Sequence, residues 1–185
     1  MGERICPPWF GYFLLIPLRK RIENPDKMLG PFVREGMVVL EPGCGMGYFS
    51  LPLARMVGPS GRVVAMDIQP KMLSVLGRRA EKAGLRERID LRCIGSDGLG
   101  IGDLSDKVDF AAAVHVVHEV GDKAGFFAGI WGALKSGANL LIVEPKGHVP
   151  RDRFETALTI AQQIGFRAGS QAPAIRGRVA VLTKP

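Results

Sequence analysis

The chain has 185 residues, 46% of them hydrophobic, and a formal net charge of +7 at pH 7. This length and apolar content predict one globular domain with its own core and exclude an intrinsically disordered chain. Three widely spaced cysteines, Cys6, Cys44 and Cys93, fit neither a disulfide framework nor a zinc ribbon, so we expect a reducing, cytoplasmic setting. The basic residues are scattered along the chain, which argues against nucleic acid as a partner.

An apolar run, Trp9–Leu18, stands near the start of the chain. It is shorter than the roughly 20 residues that span a bilayer, and its basic cluster follows the apolar part, unlike in a signal peptide. We expect residues 1–34 to form a helical extension or a lid, and residues 35–185 to form the cofactor-binding core of a single domain, 1–185. A shallow membrane contact through this run is the less favoured interpretation.

From residue 37 onward, strand-like and helix-like segments alternate. Apolar runs predict strands at 37–41, 62–67, 89–94, 108–114, 138–144, 165–167 and 178–183. Apolar residues at helical spacing predict helices at 47–57, 71–83, 123–134 and 153–164. This alternation predicts a doubly wound α/β domain, a mostly parallel sheet of about seven strands with helices on both faces. The last two strands leave no room for a crossover helix, so an antiparallel strand is expected at the C-terminal edge.

The first predicted strand runs into a glycine-rich turn, LEPGCGMGYFS, which contains Gly43, Gly45 and Gly47. In doubly wound sheets, ligands bind beyond the carboxyl ends of the strands, and glycines let the backbone approach the ligand closely. The turn does not fit the phosphate loop GxxxxGK[ST], since the spacing and the lysine are missing. It also departs from the dinucleotide pattern GxGxxG, because its third glycine comes one residue early.

Two acidic residues narrow the choice of ligand. Glu41 would place a carboxylate beside the centre of the bound molecule, which repels a pyrophosphate and suits a ligand that carries an ammonium group. Asp67, at the end of the second predicted strand, can accept hydrogen bonds from both hydroxyls of a ribose. S-Adenosylmethionine has an ammonium and a sulfonium but no phosphate, so it fits this pair better than a nicotinamide dinucleotide does.

Four segments carry a resemblance to a known family: VVLEPGCGMGYFS, VVAMDIQ, GSDG and LKSGANLLIVEP. In order and spacing they resemble the class I S-adenosylmethionine-dependent methyltransferases, from about residue 37 to the C-terminus. Within that class, the chain looks most similar to the ubiquinone/menaquinone-biosynthesis and arsenite methyltransferases. The resemblance implies S-adenosylmethionine as cofactor, S-adenosylhomocysteine as product and a small molecule as methyl acceptor.

The resemblance also implies which residues bind the cofactor, namely Glu41, Gly43, Gly45, Gly47, Asp67, Ile68, Asp97 and Gly98. The glycine backbone would lie against the methionyl part and the ribose. Glu41 would reach the ammonium through water, and Asp67 would hold the ribose. Ile68 would cover one face of the adenine, Asp97 would accept a hydrogen bond from its amino group, and Gly98 would contact the ring. The alternative for Asp97 is an ordinary turn residue.

The three histidines of the chain are the candidates for acting on the acceptor. His115 and His118 follow the fourth predicted strand, and His148 follows the fifth. The sheet order of the family would bring all three to one rim beside the sulfonium. We expect His118 or His115 to orient the acceptor or to remove its proton; the alternative is that one of them only caps the following helix. A metal site is the less favoured alternative: His-x-x-His-Glu differs from HExxH, although the two histidines could form a site with Glu144 or His148.

Other functions stay open at this point. They are a nicotinamide-dependent oxidoreductase of Rossmann type, an RNA methyltransferase and a non-catalytic S-adenosylmethionine-binding module. Amino-group methyltransferases of nucleic acids carry an Asn/Asp-Pro-Pro-aromatic segment after the fourth strand. This chain has His-Val-Val-His there, which argues against base methylation.

Overall fold

The computed structural model describes residues 23–95, 98–169 and 176–185. The contacts divide the chain into two units, one that ends at Ile94 and one that runs from Gly95 to Pro185. The apolar run Trp9–Leu18 lies outside the described residues. The division into an extension, 1–34, and a core, 35–185, therefore stays a prediction.

The unit that ends at Ile94 contains three parallel strands joined by helices. The strands are β1 (Val38–Pro42), β2 (Arg62–Asp67) and β3 (Ile89–Cys93). The helices are α1 (Pro25–Leu29), α2 (Ser50–Met56) and α3 (Pro70–Lys82). Strand β2 pairs with β1 on one side and with β3 on the other, both in parallel.

Helix α2 begins three residues later than the sequence predicts, at Ser50 and not at Gly47. The reason is the backbone of Gly47, whose φ of +81° lies outside the helical region. Helix α3 agrees closely with its prediction. It begins with Pro70, where the missing proline N–H costs no helical hydrogen bond, and the chain leaves it through Gly84, whose φ is +65°.

The unit from Gly95 to Pro185 contains the remaining four described strands. They are β4 (Val108–Val114), β5 (Leu134–Glu144), β6 (Arg167–Ala168) and β7 (Arg178–Thr183). Its helices are α4 (Lys123–Ala133) and α5 (Arg151–Ile164). Strand β5 pairs in parallel with β4, whereas β7 runs antiparallel to both β5 and β6. The predicted antiparallel pairing of the last two strands is confirmed.

Strand β5 starts at Leu134 and not at residue 138, as the sequence predicts. Leu134 pairs with Val108, and after a shift in register Asn139 pairs with Phe110. The intervening Lys-Ser-Gly segment is exposed and reads as a turn in the sequence, so only the later, buried part of the strand has the expected apolar pattern.

The seven described strands are ordered β3-β2-β1-β4-β5-β7-β6 in one sheet. This is a doubly wound, mostly parallel sheet with an antiparallel C-terminal edge, as predicted from the alternating elements. None of the helices in the described part of the chain has the length and apolar content that a bilayer crossing requires.

Candidate functional site

The glycine-rich turn after β1 departs from ordinary backbone geometry at each of its glycines. Gly43, Gly45 and Gly47 have φ angles of +71°, +52° and +81°, values that side chains strongly disfavour. A Cβ at Gly45 would meet no described heavy atom within 4 Å, whereas one at Gly47 would overlap the Leu76 side chain on α3. Gly45 therefore borders open space that a ligand can enter, while Gly47 lets the turn pack against α3.

Asp67, the last residue of β2, is hydrogen-bonded to this turn. Its Oδ2 accepts a hydrogen bond from the Gly45 N–H at 2.9 Å, and its Oδ1 accepts one from the Gln69 N–H at 2.9 Å. The side chain is 8% exposed, and burial raises its pKa despite these two hydrogen bonds. An ionised carboxylate has about four acceptor positions, so Asp67 can hold the turn and still accept ribose hydroxyls.

Glu41, in β1, is a buried acid, and one of its carboxyl oxygens has no hydrogen-bond partner among the described residues. It is 4% exposed, and its Oε2 forms no hydrogen bond there. Burial, and to a lesser degree the charge of Asp67, raises the pKa of Glu41 to about 8, although the nearby Ser50 hydroxyl opposes the rise. Glu41 is thus largely protonated at neutral pH, and a cation brought next to it would favour the carboxylate.

Ile68 follows Asp67 and is the exposed large hydrophobic residue of the described chain, with 45% of its surface accessible. An apolar side chain beside the open turn offers a surface for a flat ring. Gly98, in the other unit, has a φ of +108°, and a Cβ there would meet no described heavy atom within 4 Å. Asp97 lies outside the described residues.

Sequence reasoning missed Arg79 in α3. Its guanidinium donates a hydrogen bond to the carbonyl oxygen of Met46, in the glycine-rich turn, and burial lowers its pKa. In the sequence, Arg78-Arg79 looks like ordinary surface charge. The position of Arg79 one turn after Val75, on the buried side of an amphipathic helix, is the signal that distinguishes it.

In the C-terminal unit, His118 is held by Glu144, the last residue of β5. The Glu144 Oε2 lies 2.6 Å from Nδ1 of His118, and Oε1 accepts the backbone N–H of His118 at 3.1 Å. Glu144 is only 1% exposed. Both oxygens of one buried carboxylate therefore bind the same residue and fix its ring.

The surroundings of His118 act on its pKa in opposite directions. Burial by itself would lower the pKa, but the hydrogen bond and charge of Glu144, aided by Glu119, raise it above its ordinary value of 6.5. The charge of Lys123 opposes this rise. The ring of His148 stands against the ring of His118, with centroids 5.0 Å apart and planes at 77°.

His115 stands at the end of β4 in a left-handed conformation, with a φ of +57°. Its N–H donates to the carbonyl oxygen of Val143 at 2.8 Å, and its Nε2 is buried. The structure thus brings His118 and His148 into contact with each other. Within residues 23–95, 98–169 and 176–185, no three His, Cys, Asp or Glu side chains are arranged to hold a metal ion.

Comparisons with known proteins agree with the geometry of the turn. A sequence model of the family described as "Methyltransferase domain" matches residues 39–137. The chain is 37% identical over 107 residues to a ubiquinone biosynthesis O-methyltransferase of Methylocella silvestris, covering 57% of this chain and 39% of that protein. It is 30% identical over 112 residues to the ubiquinone/menaquinone biosynthesis C-methyltransferase UbiE of Pasteurella multocida, covering 60% and 41%.

A solved structure is similar over nearly the whole chain. It is the crystal structure of an S-adenosylmethionine-dependent methyltransferase from Aquifex aeolicus, with a TM-score of 0.81 and 25% identity. The similarity covers 96% of this chain and 97% of that one. By contrast, the chain spans about two fifths of the length of the two quinone-biosynthesis relatives.

Proposed function

The chain belongs to the class I S-adenosylmethionine-dependent methyltransferases, and from this premise we propose that it transfers a methyl group to a small-molecule acceptor. S-Adenosylmethionine is the cofactor of this family, and its sulfonium activates the methyl carbon for attack. S-Adenosylhomocysteine is the product expected beside the methylated acceptor.

The observation that carries the proposal is the buried acid Glu41 near an open glycine turn. A buried carboxyl group with an unpartnered oxygen is unfavourable unless a ligand supplies the partner. The ammonium of the cofactor is such a partner and favours the carboxylate form of Glu41, whereas the pyrophosphate of a nicotinamide dinucleotide offers no positive charge to pair with it. The residues present therefore fit the cofactor that the family uses.

The site residues assigned in the unit that ends at Ile94 each hold a different part of the cofactor. Glu41 reaches the ammonium through water, and the backbone of Gly43 and Gly45 lies along the methionyl and ribose parts. Asp67 binds the ribose hydroxyls while its bond to Gly45 keeps the turn in place. Ile68 covers the adenine, because stacking against the ring removes its exposed apolar side chain from water.

The family pattern implies two further contacts with the cofactor. Asp97 would accept a hydrogen bond from the adenine amino group, and the backbone of Gly98 would contact the ring. The open space beside Gly98 supports its role, and the role of Asp97 follows from the family pattern alone. Gly47 is assigned to the cofactor site through the turn that it shapes, since its own Cβ position is filled by Leu76.

The small-molecule acceptor is supported by the relatives, two of which are named for quinone biosynthesis. The scattered positive charge gives no concentrated basic surface of the kind that nucleic-acid binding requires. The first acceptors to screen are therefore soluble catechols, phenols and quinols.

Calorimetric titration with S-adenosylhomocysteine and with NADH tests the cofactor. We expect binding of the first and none of the second, followed by transfer of radiolabelled methyl to a member of the acceptor screen. Asp67→Asn should abolish both binding and transfer, because the amide can no longer accept the ribose and the Gly45 N–H equally well.

Asp90→Asn is the matched control, since Asp90 lies in the same unit and pairs with Arg92 at the partly exposed edge strand. It should leave binding unchanged. Tight NADH binding without S-adenosylhomocysteine binding would indicate an oxidoreductase. Steeply salt-dependent RNA binding with methylated RNA as product would indicate an RNA methyltransferase.

A further inference from the structure

The His118–Glu144 pair carries an inference about the acceptor that deepens the proposed function and rests on it. We propose that the acceptor presents a phenolic or enolic hydroxyl, that His118 removes its proton, and that Glu144 is the positioning residue that fixes His118 for this task. The residues concerned all belong to the C-terminal unit.

The hydrogen bonds fix the tautomer of the imidazole. An ionised carboxylate only accepts hydrogen bonds, so the 2.6 Å contact of Glu144 with Nδ1 places a proton on Nδ1. The second oxygen of Glu144 is held by the backbone N–H of His118, so the carboxylate cannot turn away. In neutral His118 the lone pair is therefore on Nε2.

Nε2 is the ring nitrogen of His118 that is left to take a substrate proton. Its distance to the Glu119 Oε1 is 3.9 Å, too long for a hydrogen bond, and no residue in the described part of the chain hydrogen-bonds to it. The His118 side chain is 18% exposed. A substrate hydroxyl next to Nε2 could therefore donate a hydrogen bond to it, because no described residue of the unit does so.

The groups around His118 make it a stronger base than a free imidazole. Glu144 and Glu119 favour the imidazolium, Lys123 and burial oppose it, and the balance is a raised pKa. The remaining neighbour, His148, contacts the ring edge-on and is exposed. The positive charge that forms on His118 when it takes a proton is thus stabilised where it appears.

This chemistry selects for acceptors that must lose a proton before they attack. A neutral amine already has a lone pair and needs no base, whereas a phenol has a pKa near 10 and is almost fully protonated at neutral pH. In the step, the acceptor O–H bond breaks toward Nε2, the oxygen pair forms the new bond to the methyl carbon, and the pair of the sulfur–methyl bond stays on sulfur. A base correctly placed contributes about 10²–10⁴-fold to such a rate.

The chromogenic phenol 4-nitrocatechol tests the inference without turnover. We mix it with the protein and S-adenosylhomocysteine at a pH below the pKa of the free phenol and record its spectrum. The band of the ionised phenol should appear on binding to the wild type, because the imidazolium of His118 pairs with the phenolate through Nε2. It should fall about tenfold or more in His118→Ala.

Glu144 is tested by NMR titration of the His118 imidazole and by the same spectrum. Glu144→Gln should lower the pKa of His118 and suppress the phenolate band, because the amide cannot stabilise the imidazolium, and Glu144→Asp should restore part of both. The control Glu155→Gln breaks an exposed ion pair with Arg151 on α5 and should change neither.

The inference is overturned if bound 4-nitrocatechol stays protonated in the wild type, if it fails to bind, or if Glu144→Gln leaves the His118 pKa unchanged. Failure of the proposed function has a different signature, the absence of S-adenosylhomocysteine binding in calorimetry. The imidazole titration is measured without cofactor, so it reports on the pair in either case.

Discussion

Two buried glutamates end up in opposite situations in this molecule. Glu41 in β1 and Glu144 at the end of β5 are 4% and 1% exposed. Glu144 has both oxygens hydrogen-bonded to His118. Glu41 has an oxygen without a described partner and a pKa raised to about 8.

The difference teaches where a ligand charge is needed. A carboxylate that is already paired inside its own unit can act on that partner, as Glu144 acts on His118. A buried carboxyl group with an unpartnered oxygen raises the free energy of the folded unit at high pH. Such a destabilising group is expected at a site where a ligand pairs with it. The two proposals accordingly give Glu41 a part in binding the cofactor and Glu144 a part in positioning His118.

The largest effect is expected on the stability of a Glu41→Gln variant. The folded pKa, about 8, lies above the ordinary value of 4.5, so the folded wild type binds more protons than the unfolded chain and loses stability as pH rises between these values. The neutral amide has no such loss. Urea unfolding should show a gain for the variant that grows by about 4 kcal/mol between pH 5 and pH 8.

Glu81→Gln on the exposed face of α3 serves as the control and should give a pH-independent difference near zero. If Glu41→Gln is less stable than the wild type at pH 8, the carboxylate has a partner in the free protein and the contrast with Glu144 fails.

The same substitution should weaken cofactor binding. At pH 7 a protonated Glu41 must release its proton to hold the ammonium, so wild-type binding of S-adenosylhomocysteine should tighten about tenfold between pH 6 and pH 7. In Glu41→Gln the affinity should fall about 100-fold at pH 8. Calorimetry in two buffers of different ionisation enthalpy measures the number of protons released on binding. The ammonium of the ligand contributes equally in wild type and variant, so the difference between them reports on Glu41.

An identical proton release in wild type and variant would assign the proton to another group. Equal affinities would remove Glu41 from the binding site altogether.

The fold could be predicted from the sequence because most helices and strands have a recognisable local pattern of apolar and polar residues. Strands β2 and β4 have the predicted bounds, 62–67 and 108–114, since each is a short apolar run between polar ends. The elements that differ depend on non-local contacts. Strand β5 begins at Leu134 only because that residue pairs with Val108, and α2 begins late because the turn before it is shaped by packing on α3.

The candidate site divides in the same way. The spacing of the glycines and of Glu41 and Asp67 is a local pattern that the sequence displays. The bond from the Gly45 N–H to Asp67 and the contact of His118 with Glu144 join residues 22 and 26 positions apart. Such pairs depend on which strand ends meet, so the sequence could name the histidine but not the acid that orients it.

A Glu144→Gln variant should lose stability where Glu41→Gln gains it, although both differences from the wild type shift in the variant's favour as pH rises. The raised pKa of His118 means that the pair stabilises the fold fully below pH 6.5 and that this contribution is lost as pH rises through the folded pKa. The variant should lose about 2 kcal/mol at pH 6, measured by urea unfolding. The loss should shrink at higher pH; a gain in stability at pH 6 would contradict the pairing.

The smallest effect is expected at Ile68, the exposed apolar residue next to Asp67. Its side chain contributes little to the free fold, so Ile68→Ala should change the free energy of unfolding by less than about 0.5 kcal/mol. The adenine would cover part of it, so affinity for S-adenosylhomocysteine should fall about fivefold. Met56→Ala, in the half-buried last turn of α2, is the control and should leave the affinity unchanged. An unchanged affinity in Ile68→Ala would mean that the adenine does not contact Ile68. The cofactor contacts in this unit would then not extend past Glu41 and Asp67 to the apolar surface beside them.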